Sequence, residues 1–349
     1  MIFTCFTIYG VEIHHQEKDN IFTEADNITL YTGKGKCEFI ANGDKYIYDG
    51  EFLNGKFNGQ GVISFSDENR YEGQFKDGTF EGQGFLYLSN KIKYKGQFAN
   101  DMFNGQGIYY YEDGRRYEGQ FKDDEFNGQG ILYYIDGDRY EGQFVNDKME
   151  GQGTLYFLDG SRYESQFIND KMENQGIFWF PNGDRYEGQF KDGLKNGQGI
   201  LYFANGEILY KGQFVNDNFE GQGIFWFPNG DRYEGQFKNN FKNGQGIYYY
   251  KDGSRYEGQF NDKMEGQGIF YYEDGSRYEG QFKDGLRNGQ GILYFANGKI
   301  LYKGQIVNDK FEGQGILYFA NGRRYEGQFE DGEITGQGVF YNPDGSIIE

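Results

Sequence analysis

A tyrosine opening the pattern Tyr-Glu-Gly-Gln-Phe, or a near variant, returns thirteen times along this 349-residue chain, first at Tyr48 and last at Tyr325. The step is 23 residues, lengthened to 24 after Tyr186 and Tyr278 and shortened to 22 after Tyr256. A fixed period of this length means one supersecondary unit copied in tandem, each copy burying its apolar face against its neighbours. The unit from Tyr71 to Lys93 reads YEGQFKDGTFEGQGFLYLSNKIK. It holds two short strand signals, Tyr-Glu-Gly-Gln-Phe and Gly-Gln-Gly-Phe-Leu-Tyr-Leu, joined by a polar loop at Lys76-Asp77-Gly78. The second strand ends in Asp-Gly or Asn-Gly, as at Asp113-Gly114, Asp136-Gly137 and Asn182-Gly183. That dipeptide signals a two-residue type I′ hairpin turn.

Composition agrees with a run of hairpins. There are 57 glycines, 32 tyrosines and 35 phenylalanines but 3 prolines. So little proline excludes collagen, and 20% aromatic residues exclude a disordered chain, which would have too little apolar surface to bury. The expectation is an all-β fold, an elongated, twisted single-layer antiparallel β-meander of tandem β-hairpin repeats. Residues 1–47 form a lead-in or cap, with a worn half-repeat at Gly33-Lys34-Gly35 and Asn42-Gly43; 48–347 are the repeats, and 348–349 the end. About 26 strands at ~4.8 Å would extend roughly 120 Å if straight. A two-residue turn at Asp136-Gly137 would place Tyr140, Gly142 and Phe144 on one face with Tyr133 and Ile131. The opposite face would carry Glu141 and Gln143 beside Leu132 and Tyr134.

The residues resemble the MORN repeat (membrane occupation and recognition nexus): Tyr-Glu-Gly-Gln-Phe, then Gly-Gln-Gly, then Asp-Gly before the next Tyr. The resemblance spans some 300 residues, from Tyr48 onward. Departures are Ser165 and Asn174 for glycine, Asn69 where a turn glycine is usual, and Ile306 for Phe. The resemblance implies a non-enzymatic platform that binds protein partners, of the kind found in ciliary radial spokes, protist cytoskeletal scaffolds and membrane-contact proteins. Where such arrays accompany lipid kinases or a methyltransferase, a separate domain does the chemistry, and residues 1–47 are too few to hold one.

The chain's own residues say the same about chemistry. His14 and His15 are its only histidines, and neighbours on a strand face opposite ways, which prevents a shared general-base role. Each Gly-x-Gly precedes a strand rather than a helix, so no phosphate cradle is read, and no cofactor is expected. Asp136-Gly137-Asp138 and Asn229-Gly230-Asp231 lack the twelve-residue calcium loop and are read as turns; no metal is expected. Cys5 and Cys37 fit no metal spacing, and two cysteines suit an intracellular, cytoplasmic chain. Met1–Val11 is apolar but lacks a basic flank, and is read as a strand or cap rather than a signal peptide.

The formal net charge is −19. That excludes nucleic acid as the expected partner and disfavours anionic lipid. The expected role is a scaffold in a cytoskeletal or ciliary assembly; the alternative is a membrane-peripheral platform recognising phosphoinositides or regulating a phosphatidylinositol phosphate kinase. Candidate partner-binding residues are Trp179, Phe180, Trp226, Phe227, Tyr249 and Tyr271, with the tryptophans in two IFWFPNGDR stretches as anchors for a helix or extended segment. An open edge near Gly338–Asn342 offers homo-association. A longer period is also present: Tyr186–Leu209 and Tyr278–Leu301 agree at 22 of 24 positions, 92 residues apart, so surfaces would recur every eight strands or ~40 Å.

Overall fold

The computed structural model describes residues 14–16, 21–23, 31–41, 44–65 and 68–348. The expected cap strand in Met1–Val11, Cys5 and the Asn42-Gly43 part of the worn half-repeat lie outside them. The described residues form twenty-nine strands and no helix. The chain divides into two compact units, residues 1–173 and 174–349. In the first unit, His14–Gln16 pairs antiparallel with Ile21–Thr23, which runs parallel to Gly33–Ala41. From Gly33 to Ile168 each strand then pairs antiparallel with the next. The second unit repeats the same antiparallel meander from Asn174 to Tyr341. Each unit is therefore a single layer of hairpins, as the repeat implies.

The turns are the reverse of the sequence expectation. The tight two-residue turn lies in the polar loop: Asp123 and Asp124 have φ of 50° and 71°, and Asn146 and Asp147 50° and 68°. Positive φ at both central residues is the type I′ pattern. The Asp-Gly end is instead a three-residue loop. Tyr134 N–H donates to the Asp138 carbonyl (2.9 Å), and Gly137 N–H donates to the Tyr134 carbonyl (3.3 Å). Only Gly137, at φ 98°, is left-handed there, which makes this a type I turn with a glycine bulge.

One extra loop residue moves the register by one and exchanges the faces. Tyr140 stands opposite Leu132, while Tyr133 stands opposite Arg139 and Ile131 opposite Glu141. The expected grouping of Tyr140 with Tyr133 and Ile131 is thus wrong. Tyr140, Gly142 and Phe144 share their face with Leu132 and Tyr134; Glu141 and Gln143 share theirs with Ile131 and Tyr133.

The core sits on the tyrosine face. Every repeat tyrosine except Tyr163 folds flat over two glycines that face each other across neighbouring strands, as Gly119 faces Gly130 beneath Tyr117. Tyr117 is fully buried and stacks on Phe126 at 3.8 Å, with Phe121 and the next repeat's Phe144 edge-on at 5.2 and 5.0 Å. Its hydroxyl donates to the Gln120 carbonyl (2.9 Å). Between the pairs Gly119–Gly130 and Phe121–Phe126 the second strand bulges, so Gln120 alone faces Asn127, Gly128 and Gln129. The Gln120 side chain fills the gap, its Oε1 accepting from Gln129 N–H (2.8 Å). The two glycines of Asn-Gly-Gln-Gly therefore do different work: Gly128 supplies a left-handed bulge at φ 98°, and Gly130 makes room for the ring.

Turn aspartates tie successive hairpins together, since Phe126 N–H donates to Asp147 Oδ1 (2.8 Å) and Phe103 N–H to Asp124 Oδ1 (2.7 Å). The departures have local answers. Asn174 takes the left-handed bulge position at φ 62°, which asparagine tolerates better than most residues. Ser165, under Tyr163, donates its hydroxyl to the Glu173 carbonyl (3.1 Å). The boundary between the two units falls beside both residues.

A Cβ on Gly119 would sit 2.5 Å from both Gly130 Cα and the Tyr117 hydroxyl. Gly119→Ala is expected to cost on the order of 2 kcal/mol locally, read as a roughly 30-fold loss of hydrogen-exchange protection over Arg116–Tyr133. Gly114→Ala, at a left-handed turn position with no neighbour within 4 Å, should lose only about 1 kcal/mol.

Burial also makes the tyrosine layer sensitive to alkali. It pushes Tyr278 and Tyr302 from an ordinary 10.0 up to about 12. A folded value above the unfolded one means stability is complete below pH ~10 and is lost as pH rises towards 12. Spectrophotometric titration should show these tyrosines ionising together with loss of β-structure in that window, rather than singly near pH 10.

Candidate functional site

With the tyrosine face packed on itself, the opposite face is where the array can meet another molecule. Its side chains form three rows across the strands. The first is glutamine, with Gln222 opposite Gln236 and Gln245 opposite Gln259. The second alternates isoleucine with a charge: Glu234 lies between Ile224 and Ile247, and Glu257 between Ile247 and Ile269. The third alternates arginine with tyrosine or tryptophan, Arg232 lying opposite Trp226 on one side and Tyr249 on the other.

The third row is bound to itself and to the second. Arg232 lies over the Tyr249 ring (4.3 Å) and reaches Glu234 (2.9 Å) along its own strand. Arg255 does the same with Tyr271 (3.8 Å) and Glu257 (2.7 Å), and Arg277 with Tyr294 (3.9 Å) and Glu279 (2.6 Å). Each of these glutamates is thereby matched by a guanidinium, and the row is locally neutral.

Between the glutamine row and the isoleucine–charge row runs an open groove of about 1320 Å³, wholly in the second unit. Its floor is bare backbone at paired glycines such as Gly235–Gly246 and Gly258–Gly268. Gln222, Gln245 and Gln267 line one side; Ile224, Ile247, Ile269 and Ile292 line the other with Glu234, Glu257 and Glu279. Lys211 and Lys303 stand at its two ends.

The six candidate residues do not come together. Trp179, Trp226, Tyr249 and Tyr271 lie in the arginine–aromatic row, all half-buried. Trp179 is within 5.6 Å of the Arg185 guanidinium. Phe180 and Phe227 lie on the other face, packed against Phe178 (4.8 Å) and against Phe225 and Tyr248 (4.7 and 5.4 Å). None of the six lines the groove. The groove lysines were not singled out in the sequence, although a signal exists: Arg-Tyr-Glu becomes Leu-Tyr-Lys at 209–211 and again at 301–303.

Among the described residues no group of three His, Cys, Asp or Glu is placed to hold a metal ion. Cys37 is buried and its thiol is pushed up to about 12 by that burial, which leaves it unreactive near neutrality.

The chain belongs to the MORN-repeat family: its family model matches thirteen successive stretches between residues 48 and 347. Comparison with curated proteins gives no match. Among solved structures, an E1021V mutant of the TCP10 domain of Danio rerio CPAP is similar at 15% identity, covering 70% of this chain and 99% of that one. The TM-score is 0.23, so nothing about this chain is drawn from it.

The Arg232–Glu234 pair is about one-third exposed on each side, and solvent screens it. Glu234→Gln should change unfolding stability by no more than about 0.5–1 kcal/mol, measured by denaturant titration. A larger loss would mean that the row is part of the core rather than a surface.

Proposed function

We propose that this chain is a non-enzymatic scaffold that holds protein partners within a cytoskeletal or ciliary assembly. The observation that carries the reading is the division of labour between the faces. The tyrosine face consumes its own aromatic surface, whereas the other face leaves a groove lined by glutamine amides, isoleucine and bare glycine backbone across ten strands of the second unit. Amide groups and open main chain suit a polypeptide, which brings donors and acceptors of its own. The charge of −19, and glutamates already matched by arginine, speak against docking on anionic lipid.

Detergent extraction of the native cell at moderate salt, paired with flotation of the purified protein on phosphoinositide-containing vesicles, tests the reading. The expected outcome is retention in the detergent-insoluble cytoskeleton without flotation. Release with the membrane fraction together with flotation would overturn it in favour of the lipid platform.

A further inference from the structure

Along the isoleucine–charge row of the second unit, the charges read Glu187, Lys211, Glu234, Glu257, Glu279, Lys303 and Glu326, one on every second strand. Each of these glutamates is paired with the arginine two residues before it, at 2.5–2.9 Å. At the two lysines both members of the pair are exchanged, because Leu209 and Leu301 stand where the arginine would be. Lys211 lies between Ile200 and Ile224, Lys303 between Ile292 and Ile316, and both are exposed. The uncompensated charge of the groove is thus two cations, one at each end, eight strands or about 38 Å apart.

Building on the scaffold reading, the geometry points to the groove as a docking site for an extended polypeptide segment carrying two acidic side chains about twelve residues apart. Charge sets the first part. Lys211 and Lys303 call for two anionic groups, while the arginine-matched glutamates between them offer no further cation to a continuous polyanion such as nucleic acid or a lipid surface. A second copy laid face to face by a two-fold axis through the Glu257 strand, parallel or perpendicular to it, would put lysine on lysine, because the order of charges is the same from either end.

Width sets the second part. The two walls are residues i and i+2 of the same strands, about 6.6 Å apart. An α-helix with its side chains is 10–12 Å across and does not enter. A polyproline-type extended chain does, and its period fits: three residues advance about 9.3 Å, against about 9.6 Å for two strands. Every third side chain then meets successive charges of the row, and four such steps carry the first acid from Lys211 to the second at Lys303.

The test uses the full chain and an acetylated, amidated peptide, Glu-(Pro-Pro-Gln)3-Pro-Pro-Glu, coupled by carbodiimide and mapped by mass spectrometry. Coupling at Lys211 and Lys303 at least fivefold above that at the exposed Lys191, Lys238 and Lys283 is expected, with single peptides bridging both lysines. A peptide of the same length with its glutamates six residues apart should give no bridge. Lys211→Gln with Lys303→Gln, checked for unchanged circular dichroism, should abolish the selectivity. Even coupling over all exposed lysines, or bridging by the short-spaced peptide, would overturn the inference. Cytoskeletal retention of the same double variant separates the two claims, since retention with even coupling in the wild type removes the groove assignment and leaves the scaffold.

Discussion

A tyrosine ring lying over two facing glycines is the contact on which everything else here rests. A single-layer sheet has no second layer to bury its aromatic side chains against. The array solves this by removing side chains from two adjacent positions and laying a ring in the space, where it meets backbone below and phenylalanines around it. Tyr140 over Gly142 and Gly153, Tyr186 over Gly188 and Gly199, and Tyr256 over Gly258 and Gly268 repeat that contact. Because the ring also touches the next repeat's phenylalanine, as Tyr233 touches Phe260 at 4.9 Å, burial is shared between neighbours and passes along the chain.

That arrangement also determines which face is available to other molecules. The hydroxyl of each such tyrosine has to find an acceptor once buried, and the carbonyl of the glutamine opposite the bulge serves, as Gln213 does for Tyr210 (3.0 Å). The bulge turns alternate glutamine side chains back onto the backbone and leaves their partners along the groove. The groove is a by-product of the packing on the other side: the glycines that make room for tyrosine on one face leave bare backbone on the other. Charge is then free to vary, since an exposed side chain in this row bears little of the fold, and the changes at Lys211 and Lys303 occupy such places.

Much of this was legible in the sequence because it depends on local repetition. The period, the antiparallel pairing and the burial of each repeat against its neighbours all follow from spacing and residue type. The face of the tryptophans did not. Counting Asp136-Gly137 as a two-residue turn put Tyr133 beside Tyr140, whereas the hydrogen bond from Tyr134 to Asp138 encloses one residue more. Dipeptide statistics do not distinguish the two loops, and in a structure of period two a single residue exchanges every side chain between faces.

The sequence alone determined the unit, its number and its chemistry: thirteen MORN repeats, glycine where a ring must lie or a turn must be left-handed, and a strongly acidic whole. Only the tertiary structure decided which side chains stand together. Register is a matter of hydrogen bonds between strands, and those bonds placed Trp226 opposite Arg232, stood Glu257 between Ile247 and Ile269, and set Lys211 and Lys303 on the same row. Composition reports the charge of a chain; pairing across strands decides which side chains that charge stands beside.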